Sequence, residues 1–149
     1  MRKTMTGITN PTEEYFKDGL WGWDGTQWRK AGLPLWYREP YQESLGGTAS
    51  GTVYSKYSTP VPDGYVYVIT NISIRNTTRA PGRTEIIVYD ATHQILQIAA
   101  TNSLDISIPL LYAGFLVFAP GYKLRVYMTA TQDGDVIDGG VLGFKVAVT

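Results

Sequence analysis

One histidine and two charged loops are the places where side chains of this sequence could do chemistry. His93 is the only histidine, and there is no cysteine. Within this chain that rules out thiolate zinc sites, iron–sulfur clusters, disulfide staples, cysteine nucleophiles and sites needing several imidazoles. His93 lies in Asp90-Ala91-Thr92-His93-Gln94, the composition of a turn between two strands. Ser103 and Asp105 could complete a Ser/His/Asp set with it. However, nothing resembles the strand–turn–helix elbow that aims such a nucleophile. A solvent-facing turn histidine is the default, so no catalytic residue is assigned and the chain is read as a non-enzyme.

The first loop is acidic. Gln132-Asp133-Gly134-Asp135-Val136-Ile137-Asp138-Gly139-Gly140 sets carboxylates among glycines. Hard cations such as calcium take oxygen donors of this kind, and Asp133, Asp135 and Asp138 would be the ligands. No glutamate closes the loop, and a glycine-rich turn uses the same residues for backbone reasons alone. No metal and no cofactor is assigned. The second loop is cationic: Arg75-Asn76-Thr77-Thr78-Arg79-Ala80-Pro81-Gly82-Arg83 carries three arginines and no carboxylate. Like charges repel, so Arg75, Arg79 and Arg83 are candidate contacts for a partner's carboxylate or phosphate. The alternative is a solvated loop. The acidic loop of a symmetry mate could supply the complement.

The elements that must position these loops divide near residue 50. All four tryptophans (Trp21, Trp23, Trp28 and Trp36) precede that point, while the chain beyond Gly51 is dense in Val, Ile, Tyr and Thr. Ser44-Leu45-Gly46-Gly47-Thr48-Ala49-Ser50-Gly51 reads as a flexible connector. The expected organisation is an N-terminal arm over residues 1–50 and a β domain over 51–149. In the arm, Asp24-Gly25 between Trp-bearing segments signals a short hairpin. Two strands alone are marginal in water, so the hairpin must pack on something. Trp21, Trp23, Trp28, Trp36, Tyr37 and Tyr41 are the expected partner-binding anchors, because Trp, Tyr and Arg carry most interface energy. A sugar stacked on the tryptophan rings is a second reading.

The β domain reads as successive strands: 52–57, 65–75, 84–89, 94–101, 105–110, 115–118, 122–130 and 141–148. In 65–75 the alternation predicts a buried even face of Val66, Val68, Thr70, Ile72 and Ile74. In 122–130 it predicts buried Leu124, Val126 and Met128, and in 141–148 buried Leu142, Phe144, Val146 and Val148. Pro–Gly turns at Pro62-Asp63-Gly64, Pro81-Gly82 and Pro120-Gly121 punctuate the pattern. The first and last of these each feed a Tyr-initiated long strand, as matching members of two Greek keys would. About eight short strands with no helical period predict an all-β jelly roll or β-sandwich.

Bulk properties narrow the partners. Lys and Arg total 13, Asp and Glu total 13, and the net charge is zero, which argues against nucleic acid held by bulk charge. Two positive charges in residues 1–6 are followed by no apolar run, against a secretory signal. The sequons at Asn71 and Asn76 matter only in a secretory pathway. The longest apolar stretch, Ile106 to Phe118, contains Pro109 and Gly114 and is too short to span a membrane as a helix. It reads as a buried strand pair. No nucleic acid and no membrane is expected.

The run Asp18-Gly19-Leu20-Trp21-Gly22-Trp23-Asp24-Gly25-Thr26-Gln27-Trp28-Arg29-Lys30 resembles a phrase near the start of tailed-bacteriophage virion proteins. The Pro-x-Gly turn with its long strand to Thr70-Asn71-Ile72, and Ala119-Pro120-Gly121-Tyr122-Lys123-Leu124-Arg125-Val126-Tyr127, are similar to the small jelly-roll proteins of phage heads and tails. The resemblance implies a capsid decoration (cement) protein, a homotrimer located in the virion and assembled in the host cytoplasm. Its partners would be the major capsid protein and neighbouring copies of itself. A tail or baseplate component, or a carbohydrate-binding module of a host-recognition fibre, is the alternative.

Overall fold

In a computed structural model of the chain, residues 39–147 are described in full, together with the backbone of 21–23 and 28–30. The chain divides into two compact units, Met1–Arg38 and Glu39–Thr149. In the first, β1 (Trp21–Trp23) pairs antiparallel with β2 (Trp28–Lys30), with Trp23 opposite Trp28. The expected hairpin is therefore present. Its turn, and Trp36 and Tyr37, lie outside the described residues.

The second unit contains β3 (Glu39–Ser44), β4 (Gly47–Thr48), β5 (Val53–Tyr57), β6 (Tyr65–Asn76), β7 (Thr84–Tyr89), β8 (Gln94–Thr101), β9 (Leu110–Phe118), β10 (Lys123–Thr129) and β11 (Val136–Ala147). No helix occurs among the described residues. One sheet runs β3-β11-β6-β9, with β4 also on β11; the other runs β5-β10-β7-β8. With the two-residue β4 set aside and the strands counted in chain order, the sheets read 1-8-3-6 and 2-7-4-5. That is the strand order of a jelly roll, two Greek keys wrapped into a sandwich. The two Pro–Gly-led strands, β6 and β10, are the third and seventh, matching positions of the two keys.

The core lies between the sheets. Tyr41, Tyr67, Ile69, Ile72, Ile74 and Val141 face Tyr54, Ile86, Val88, Leu124, Val126 and Met128. Full burial of each such aliphatic side chain is worth about 1.5–3 kcal/mol. The inward trio Leu124, Val126 and Met128 follows the expected alternation. Turn chemistry also follows the sequence: at Ala119-Pro120-Gly121-Tyr122, Gly121 has φ +83° and the Tyr122 N–H donates to the Ala119 carbonyl at 3.1 Å. A type II turn requires that positive φ.

Four expectations are corrected. First, the sandwich begins at Glu39 and not near residue 50, because β3 pairs with β11 from Glu39↔Lys145 to Ser44↔Gly140. Pro40 masked this strand; proline is tolerated here because β3 is an edge strand. Second, β6 does not bury one parity throughout. Tyr67 and Ile69 point inward, and so do Ile72 and Ile74, because the pairing with β11 and with β9 shifts between Ile69 and Asn71. This β-bulge at Thr70 switches the face, so Val66, Val68 and Thr70 belong to the outer side.

Third, β11 buries Ile137 and Val141, while Leu142 is exposed. Glycines hid this register, for Gly139 and Gly143 occupy inward positions that no apolar pattern marks. A Cβ at Gly143 would overlap the Val68 carbonyl oxygen, so the bulged backbones of β6 and β11 approach as only glycine permits. The expected strand at 105–110 is also mostly loop: Ser107 has φ +62°, and β9 starts at Leu110.

Candidate partner-binding surfaces

Antiparallel wrapping gathers the β6–β7, β8–β9 and β10–β11 loops, with residues 49–52, at one end of the sandwich. Both charged loops therefore meet inside one molecule. Asp135 is 1% exposed, and its carboxylate accepts from Asn76 Nδ2 at 3.0 Å, Arg79 Nε at 2.8 Å and the Gln132 N–H at 2.9 Å. Burial pushes the Asp135 carboxyl up, but these donors and the Arg79 charge outweigh it and hold it below the ordinary value. Backbone bonds reinforce the joint: Ala49 N–H to the Asp135 carbonyl, Gly134 N–H to Ala49, and Thr77 N–H to Val136.

The cationic loop therefore finds its carboxylates within the chain. Arg75 pairs with Asp138 at 2.7 Å across β6 and β11, Arg79 with Asp135, and Arg83 with Glu85. Arg75, Arg79 and Arg83, the candidate contacts for a partner, each hold a carboxylate of their own chain while their side chains stay partly exposed. For Arg75 and Arg79 the acidic complement comes from the acidic loop of the same chain, and for Arg83 from Glu85 on β7. As calcium ligands, Asp135 and Asp138 are already committed to these cations, which leaves Asp133 without a carboxylate cluster; no metal-holding group of three occurs among the described residues.

Tyr41 is likewise a core residue and not an anchor. It is 8% exposed, its ring lies 4.6 Å from that of Tyr67, and its hydroxyl donates to Glu43 Oε2 at 2.6 Å. Burial, then the Glu43 carboxylate, raises its pKa. Glu43 also accepts from the Thr59 N–H at 2.9 Å, tying β3 to the segment after β5. His93 sits in the β7–β8 turn, where the Asp90 carboxylate accepts from the Thr92 and His93 N–H groups. Ser103 and Asp105 follow β8 at the other end, an eight-residue strand away, roughly 25 Å. No triad can form from them.

The surface that sequence reasoning missed is on the outer side of the β3-β11-β6-β9 sheet. Along β9, Leu110, Tyr112 and Leu116 pack on the core, while Leu111 (63%), Phe115 (76%) and Val117 (67%) are exposed. The register extends this row across the sheet: Val117 is opposite Val68, Val68 opposite Phe144, and Phe144 opposite Pro40. Exposed Leu142 lies beside it. The signal was present in Leu110–Phe118, which is apolar at both parities. Such a run normally marks a strand covered on both faces, and β9 is an edge strand covered on one.

No family model matches the chain, and no curated protein matches it. Among solved structures it is similar to the infectious bursal disease virus Gt strain structure, at TM-score 0.39 and 14% identity over 85% of this chain and 37% of that one. It is similar as well to a mutant VP2 protein of infectious bursal disease virus in derived T=1 particles, at TM-score 0.41 and 16% identity over 85% and 35%. The chain spans little more than a third of the length of those viral chains.

Proposed function

We propose that this chain is a non-enzymatic structural component of a virion, a capsid decoration protein that binds the shell of the major capsid protein. The observation that carries this reading is the apolar outer row of β9. Monomeric proteins rarely leave Leu, Phe and Val contiguous on a flat sheet, and such patches mark interaction surfaces. The jelly roll supplies a rigid body for that surface, and the Trp-rich segment adds residues of the kind that anchor interfaces. Stabilisation of the shell follows from mass action, since a protein that binds only the assembled state favours it. The resemblance to the small jelly-roll proteins of phage heads and tails is what brings in the capsid decoration role and the homotrimer, and a tail or baseplate component is the alternative within the same class.

Tailless heads of the encoding virus, prepared without this chain, provide the test. Added protein should co-sediment with them and raise their thermal transition. Phe115→Ser with Val117→Ser should fold normally, since both side chains are exposed, and should lose binding. Binding to tails but not heads would move the assignment to the tail. Glycan binding without virion binding would replace it by the carbohydrate reading.

A further inference from the structure

The opposite sheet carries a second surface of different chemistry. On the outer side of β10, Arg125 stands opposite Tyr57 on β5 and Ile87 on β7. Its guanidinium carbon lies 4.8 Å from the Tyr127 ring centroid and 5.6 Å from that of Tyr57. Nε donates to Ser55 Oγ at 2.9 Å and Nη1 to the Tyr89 hydroxyl at 3.2 Å. The Lys123 ammonium sits 4.9 Å from the Tyr57 centroid, and Tyr57 meets Tyr89 edge-on at 5.4 Å. Beneath the group, Ile87 is 2% exposed although its side chain is on the outer face. The cluster is thus packed, not a set of loose surface chains.

Its charge is uncompensated. Arg75, Arg79 and Arg83 each hold a carboxylate, but Arg125 and Lys123 have none among the described residues. Two hydrogen bonds and two rings fix the Arg125 fork, and its remaining N–H donors stay open. A guanidinium ordered before binding loses little entropy when it takes a bidentate carboxylate. We propose that this face binds an acidic segment of a protein partner, with a carboxylate on Arg125 and Lys123. A stacking sugar is disfavoured because the faces of Tyr57 and Tyr127 are already met by cations. A nucleic-acid backbone is disfavoured because such binding scales with the number of cations, and this cluster supplies only Arg125 and Lys123, Glu85 nearby being held by Arg83. This site is on the other sheet from β9, so it stands or falls independently of the shell-binding reading.

The test is a titration of the isotope-labelled full chain at low salt, followed by backbone amide shifts. The probes are hexaglutamate, hexaglutamine, glucuronate and oligothymidylate. Hexaglutamate should shift amides of β5, β7 and β10 around Arg125, with affinity falling as salt rises. Arg125→Gln should weaken it about tenfold or more, the scale of a lost charge-assisted contact. Because Arg125 also packs the face, Lys123→Gln, which leaves Arg125 with its Tyr127 ring and its bonds to Ser55 and Tyr89, should weaken it as well. Absence of shifts on this face, equal binding by hexaglutamine, or unchanged affinity in both variants overturns the proposal. So does tighter binding of glucuronate or oligothymidylate than of hexaglutamate.

Discussion

Asp135 shows how one side chain can govern a corner of the fold. Its pKa is depressed in the folded state, so the stability it contributes is present above the ordinary carboxylate pKa. That stability is lost as pH falls through the unfolded and then the folded value. Thermal midpoints should therefore fall on acidification below about pH 4. Asp135→Asn, which leaves Arg79 without its counter-charge, should melt lower at neutral pH and show a flatter acid limb. Thr84 offers the reverse case: it is fully buried and its hydroxyl has no hydrogen-bond partner. Thr84→Val removes that unpaired group at constant shape and should stabilise by about 1 kcal/mol. The measurement is the denaturant midpoint at unchanged slope.

Among the elements, β6 and β11 hold the sandwich together, and their shared irregularity is the least forgiving point. Gly143→Ala forces a methyl group against the Val68 carbonyl at the bulge. It should cost roughly 2–3 kcal/mol, as overpacking of a close backbone contact does, read from chemical denaturation. The same strands show what a sequence can and cannot reveal. Regular strands such as β10, and the Pro–Gly turns, were legible because alternation and turn chemistry are local. The Thr70 bulge was not, because Val66, Val68 and Thr70 continue the apolar parity of Ile72 and Ile74, and only pairing with β9 and β11 decides where the face switches. Likewise Arg75 and Arg79 looked unpaired because their carboxylates are distant in sequence: Asp138 is 63 residues from Arg75 and Asp135 is 56 from Arg79.

For the whole molecule, the boundary at Glu39 makes a sharp prediction. A fragment of residues 39–149 should unfold in one cooperative transition. A fragment of residues 46–149 should be markedly less stable, since it loses β3, the buried Tyr41 and the Glu43 tie to Thr59. Calorimetry of the two fragments distinguishes this from a boundary near residue 50, which predicts no difference. The jelly roll was predictable as a class from eight strands without helical period. The apolar row of β9 and the Arg125 cluster were not, because each is assembled across strands distant in the chain.

The pairing of β3 with β11 also sets how the unit bears load. Glu39 lies opposite Lys145, so the chain enters and leaves the sandwich at the same end of two neighbouring antiparallel strands. Tension applied between Glu39 and Ala147 acts across the ladder, along its hydrogen bonds. The bonds then break one after another, as in a zipper, and not together in shear. A force-spectroscopy trace pulled from these two points should show β3 peeling away at low force, with the remaining strands opening later. A pull between Glu39 and a loop at the far end should meet far greater resistance.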